Sequence, residues 1–440
     1  MERNWLTLSV ISLGLGGLLA LVAAVARTPL VYKLVPPDYF YHSIIGHVDL
    51  AIVGFFLTFG MLLWQKNYRV ELKPSFYLSL LGIGGIALVA LSGTGKAVPN
   101  NYLPTIDHPL FWVSALLFFS GFWLASFRLL PEALEDIGSE DPKKHLLSLS
   151  IVLSVLMFLA FIFSLPKVGS KEELYLFYER LYWAPGHIHQ FINGVFLLYA
   201  WYYLLELRGV KPSLGRLKHA SALLFGFSFS YVLIPLALSD TVSEQARRLT
   251  DLGYAFGIGL FIFLHLFKLL KHIRVELKNL YSSALMLSIA LYLLGVFIAY
   301  AGLMPALLEY FMNPHSHYVG MKSSLSIPAH YHGVITSQTL AFMVLTYSLL
   351  KELELGAKLS KVSLLQAYMY GVGMFMFVLG LFFAGLKGAP RKTYGTAFTN
   401  DPFVLLSLSL MGAGTLLAVL AGIIFVVYAL KSLLSPARGE

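Results

Sequence analysis

Apolar residues fill this chain in long runs, with the polar positions gathered between them. A bilayer core about 30 Å thick takes roughly 20 residues of helix. Twelve runs reach that length, at about 5–26, 43–64, 76–94, 108–130, 146–165, 186–206, 218–238, 251–270, 279–303, 328–350, 363–386 and 401–430. Proline marks many of the breaks, as at Pro36-Pro37, Lys73-Pro74, Asp141-Pro142, Lys211-Pro212 and Ala389-Pro390, because it cannot continue a helix already under way. No stretch reads as a soluble domain. The pattern predicts an all-α polytopic membrane protein of twelve transmembrane helices, a single domain over residues 1–440. Met1–Trp5 runs into apolar residues without a small-residue cleavage pattern, so the first run is expected to be a retained membrane helix.

Composition supports this class. Hydrophobic residues make up 58% of the chain and charged residues 12%, and the mean hydropathy is +0.73. Soluble domains carry about 25% charged residues, so a soluble enzyme, a nucleic-acid binder and a disordered chain are all excluded. The net charge of +9 sits in short loops rather than on a nucleic-acid surface. With the N-terminus inside, the larger share of the Lys and Arg falls on cytoplasmic segments, including Lys66, Arg69, Lys143, Lys144, Arg208 and Lys211. Both termini are therefore expected in the cytoplasm of a cell (inner) membrane protein.

Cysteine is absent, which removes disulfides, thiolate zinc sites, iron–sulfur clusters and covalently attached c-type haem. The 13 histidines become the candidate metal ligands. Several open the even-numbered spans, all running from outside to inside: His47 in the second, His187 and His189 in the sixth, His330 and His332 in the tenth. They share one depth in the outer part of the bilayer, where buried histidine is usually functional. Two residues along a helix is about 200° of rotation, so His330 and His332 point to opposite sides and cannot bind one metal together. Each could serve a separate planar cofactor, with His47 as second axial ligand to one of them. His42, His108, His219, His265 and His272 are expected as helix contacts or interface residues. His145, beside Lys143 and Lys144, is expected to be solvated, and His315 and His317 to lie in a loop.

Four segments together resemble catalytic subunit I of the haem-copper oxidase superfamily, which includes the nitric oxide reductases. The resemblance is closest to the B-type oxygen reductases and covers nearly the whole chain. They are Tyr41-His42-Ser43-Ile44-Ile45-Gly46-His47; Leu181-Tyr182-Trp183-Ala184-Pro185-Gly186-His187; Ile327-Pro328-Ala329-His330-Tyr331-His332; and the stretch from Gly380 through Ala389-Pro390-Arg391-Lys392-Thr393-Tyr394. The resemblance implies two non-covalent haems, of b type, near the outer side. His47 and His332 would hold the low-spin haem, His330 the high-spin haem and His187 copper. Arg391 and Lys392 would pair with haem propionates, since cations hold carboxylates well.

Departures from that pattern shape the functional expectation. The family's two adjacent copper-binding histidines fall near Pro235 and Leu236, and no histidine lies between His219 and His265. Phe191 stands where the oxidases place a tyrosine cross-linked to the copper ligand. Glu179 and Glu309 are expected in loops, and Tyr318 and Lys322 replace the usual acidic and histidine residues before the tenth span. The expectation is a respiratory-type di-haem oxidoreductase with an atypical or absent copper site. It would take electrons from cytochrome c or quinol, through a subunit II-like partner, to dioxygen or a similar gas. A nitric oxide reductase-like enzyme and a non-catalytic di-haem electron-transfer or gas-sensing subunit remain alternatives.

Overall fold

The computed structural model describes residues 1–313, 323–355 and 361–435. Helix dominates it: α1 (Glu2–Val25), α2 (Pro37–Val48), α3 (Phe55–Tyr68), α4 (Lys73–Ser92), α5 (Pro109–Asp136), α6 (Pro142–Ser164), α7 (Leu174–Glu206), α8 (Ser221–Ala237), α9 (Glu244–Leu252), α10 (Leu260–Leu270), α11 (Leu280–Met312), α12 (Ser326–Glu352), α13 (Lys361–Leu386) and α14 (Pro402–Leu434). Wide π turns, Asp49–Gly54 and Gly253–Gly259, join α2 to α3 and α9 to α10 into continuous rods. The helix starts follow local chemistry. Asp141 accepts from Lys143 N at 2.8 Å and Asp401 from Phe403 N at 2.8 Å, each just ahead of a proline at the first helical position, a strong start signal.

Among the described residues, eleven helices are long and apolar enough to cross a membrane, and the chain is an all-α polytopic membrane protein. The predicted run at 186–206 is helical as part of the 33-residue α7, but it is not among the eleven. Its face carries Tyr199, Tyr202, Tyr203, His187, His189, Gln190 and Asn193, which lower its hydropathy, and nearly all of it is buried. Polar side chains are placed here because α7 faces protein rather than lipid.

Burial separates centre from rim. The apolar window of α12 is 89% buried and that of Pro37–Tyr68 is 83% buried, against 33% for α14. The rim helices expose Leu116, Phe127, Phe229, Leu236, Leu406 and Val427, an apolar outer surface that suits lipid and not water. In the centre Phe55, Phe56 and Phe59 of α3 close around Phe342 of α12, and the Phe59 and Phe342 rings stack at 4.2 Å. One end of the bundle carries paired charges, including Lys66–Glu352 at 2.7 Å, Lys143–Glu206 at 2.6 Å and Lys218–Glu140 at 2.9 Å. At the opposite end a two-stranded hairpin, Lys96–Val98 against Thr105–Asp107, folds residues 99–104 over the bundle.

Candidate functional site

His47 lies eleven residues into α2 rather than in its first turn, because that helix begins earlier, at Pro37. It points at α1, where its Nδ1 meets the Gly16 carbonyl at 3.0 Å. A side chain at Gly16 would collide with Ala51 at 2.8 Å, so the glycine is what lets α1 and the π turn after α2 approach. His332, near the start of α12, ties its Nδ1 to the Pro328 carbonyl at 2.7 Å. The two imidazoles stand with ring centres 6.2 Å apart and planes 8° from parallel. Two ring nitrogens each about 2.0–2.1 Å from one shared metal ion would put the ring centres roughly 6 Å apart. With each Nδ1 bonded to a carbonyl, the Nε2 of each ring is left for another partner, as in the outer-shell arrangement of metal-binding histidines.

His330 leaves α12 on the other side. Its Nδ1 meets the Gly295 carbonyl of α11 at 2.9 Å, across a contact where Gly295 and Gly333 pack backbone to backbone. A cavity of about 1480 Å³ runs past His47, His332 and His330, larger than the 300–1,000 Å³ of a typical ligand pocket. It is also lined by His189 and Asn193 of α7, Tyr254 and Ile258 of the π turn before α10, and Tyr292 and Val296 of α11.

His187 does not line that cavity. Its Nδ1 is bonded to the Trp183 carbonyl, and its Nε2 meets the Tyr102 hydroxyl at 3.0 Å. Tyr102 in turn meets the Tyr254 hydroxyl at 2.6 Å. Burial pushes the Tyr102 hydroxyl up from its ordinary range, so it stays protonated and can donate. Gly186 makes room for it, since a Cβ there would lie 2.4 Å from that of Tyr102. The Tyr231 hydroxyl donates to the Thr250 carbonyl at 3.0 Å. Phe191 is fully buried against Tyr231, Pro235 is buried in α8, and Leu236 faces outward. Among the described residues, no three His, Cys, Asp or Glu side chains gather as a metal-binding set.

At the hairpin end the cavity becomes polar. Arg391 Nη2 donates to Asn101 Oδ1 at 2.6 Å, and Lys392 Nζ donates to the same oxygen at 3.2 Å and to the Pro99 carbonyl. Arg27 donates to the Pro390 carbonyl at 2.8 Å. All three cations line the cavity. Burial, with Arg391 alongside, pushes Lys392 down to about 8, and Glu179 opposes the shift. An anion placed there would meet two or three cations, the setting in which carboxylates bind tightly.

Several expectations need correction. Glu179 is not a loop residue; it lies inside α7, 5% exposed, and accepts from the backbone and side-chain amides of Asn101. Glu309 belongs to α11, which extends to Met312. His145 is not solvated but 1% exposed, with its Nδ1 on the Ile137 carbonyl at 2.6 Å, because α6 starts with its first turn already packed. His42 bridges the Asp38 and Gly95 carbonyls, His265 meets Tyr202 and His108 caps α5. His219 and His272 are exposed. His315, His317, Tyr318 and Lys322 lie outside the described residues. Sequence reasoning missed Tyr102 and Asp49. Tyr102 arrives from a loop with no periodic signal. Asp49 sits in the π turn after His47, 1% exposed, with neither carboxyl oxygen hydrogen-bonded; a single acidic residue inside an apolar run was its only trace.

No model of a known protein family matches the chain. It is similar to an uncharacterised protein of Aquifex aeolicus, 36% identical over 359 residues that cover 81% of this chain and 86% of the relative. It is also similar to an uncharacterised protein of Rickettsia prowazekii, 25% identical over 513 aligned positions covering 97% of this chain and 94% of the relative.

Proposed function

The chain belongs to one family with the Aquifex aeolicus protein, and we propose that it is a di-haem membrane oxidoreductase resembling subunit I of the haem-copper oxidases. The observation that carries this is the pair His47 and His332, parallel to within 8° with ring centres 6.2 Å apart, a spacing that suits one low-spin haem iron. His330, on the far side of the same helix, would hold a second haem. Both groups would lie in the one continuous cavity, with their propionates toward Arg391, Lys392 and Arg27. α7 is the twelfth span in this arrangement, both termini are cytoplasmic, and the haems lie toward the outer side of the cell membrane.

Bound haem supplies one-electron transfer and, where one axial position is open, gas binding. The chain's own residues do the rest. The carbonyls of Gly16, Pro328 and Gly295 orient the three imidazoles. The apolar cavity walls keep water from the ligand nitrogens. Electrons would come from cytochrome c or quinol through a subunit II-like partner. The engaged ring of His187 and the lack, among the described residues, of a neighbouring donor set favour chemistry without orthodox copper. That leaves a nitric oxide reductase-like or electron-transfer role beside oxygen reduction.

The test is the optical spectrum of purified, detergent-solubilised protein with its iron and copper content. Two haems per chain are expected, one of them low-spin. A chain purified from a haem-replete host that carries no haem would refute the proposal. Consumption of dioxygen, then of nitric oxide, separates the three roles.

A further inference from the structure

The two histidines of α7 are differently placed. His187 has both ring nitrogens engaged and stands off the cavity. His189 lies in the stripe that α7 turns toward the cavity, with Gly186, Asn193 and Leu197 at helical spacing. It is 8% exposed, and its Nε2 is buried with no hydrogen-bond partner. One turn on, Asn193 Oδ1 is buried and equally unpartnered. Buried polar atoms left without partners are costly and rare in folded proteins.

His330 lines the same cavity. Gly194, beside Asn193, packs on Ile258 and Ile262. Tyr300 of α11 donates to the Ala255 carbonyl at 2.7 Å, and His330 is tied to Gly295 of α11. The α7 stripe, the π turn before α10, and α11 therefore pack in sequence and line the cavity that His330 also lines.

We propose that His189, not His187, is the distal hydrogen-bonding residue for a small diatomic ligand in the His330 lobe, with Asn193 beside it; this rests on the di-haem reading above. His330 would act from one wall and His189 from another. His187, Tyr102 and Tyr254 would form a second layer that holds α7 against the hairpin loop.

The probe is cyanide, titrated into the ferric, purified full chain and followed by optical spectroscopy. A distal N–H strengthens binding of such an anion. The haem between His47 and His332 has no open position and serves as the internal control. His189→Leu is expected to weaken cyanide binding about tenfold, or about 1.4 kcal/mol. His189→Gln keeps an N–H donor and should recover most of the loss. If the leucine variant does not fold, His189→Met carries the same comparison. Unchanged affinity would overturn the assignment. So would tighter binding, which would mean that His189 itself occupies the iron. A larger loss in His187→Phe than in His189→Leu would return the role to His187. Absence of haem from the wild-type chain is visible before any cyanide is added, and that outcome removes the di-haem reading itself.

Discussion

Gly295→Ala tests how His330 is held. A Cβ at position 295 would lie 2.7 Å from the His330 carbonyl oxygen and 2.7 Å from the Val334 nitrogen. Comfortable contact needs about 3.5 Å, so α11 and α12 must separate by roughly 0.8 Å. All the obstructing atoms are backbone, so no side-chain rotation relieves the clash. Separation of that size stretches the His330 Nδ1 to Gly295 carbonyl bond from 2.9 Å to roughly 3.7 Å, beyond hydrogen-bonding range. Overpacking costs about 1–3 kcal/mol and the lost bond about 1 kcal/mol, giving about 2–4 kcal/mol. The assay is the apparent Tm in detergent at one fixed scan rate, since membrane proteins commonly unfold irreversibly. A fall of several degrees is expected. Gly84→Ala, on the exposed face of α4 with nothing within 4 Å of its added Cβ, is the control and should leave Tm unchanged or raise it. A Gly295→Ala protein as stable as wild type would refute the tight helix contact and the orientation of His330 that depends on it.

Three further outcomes follow from named groups. His332→Ala should abolish the low-spin haem spectrum, and a retained spectrum would refute the pairing with His47. Asp49→Leu should raise the apparent Tm, because it removes a carboxyl group buried without a partner; a clear fall would reveal a partner such as an ordered water. Lys392 sits at about 8 in the folded protein against an ordinary 10.5, so the unfolded chain binds more protons across that interval. Stability should therefore rise with pH from about 8 to 10.5, the destabilisation being fully present below 8. Lys392→Met should flatten that rise in stability measured on haem-free protein between those limits, and equal slopes in both proteins would refute the burial of the ammonium.

The features legible in the sequence were those that depend on one helix at a time. Lipid-facing spans announce themselves because their outer surface must be apolar, as on α5 and α14. The divergence of His330 and His332 follows from helical rotation alone. α7 blurred the span pattern because protein rather than lipid surrounds it. Which of His187 and His189 meets the cavity depends on how α7 is rotated against the hairpin loop, and no spacing within α7 encodes that. Tyr102, 85 residues from His187 along the chain, reaches it only because the short hairpin folds back over the bundle. His145 looked solvated from its lysine neighbours, yet the first turn of α6 is already packed, so local charge misjudged its burial.

α12 links the two halves of the proposed site through geometry that neither half could supply. Its rings at 330 and 332 leave on opposite sides, and each is tethered through Nδ1 to a backbone carbonyl, of Gly295 and Pro328 respectively. The two lobes therefore share a wall one helix thick, about 10–12 Å across with its side chains. Groups held by the two rings would stand at a separation set by backbone geometry, so electron transfer between them would need no moving part. Insertion of a single residue between the two positions would turn the second ring by about 100°. One ring would then lose its carbonyl tether, and the parallel alignment with His47 would break. A chain carrying that insertion that kept its low-spin spectrum would show that the shared wall is not what positions the pair.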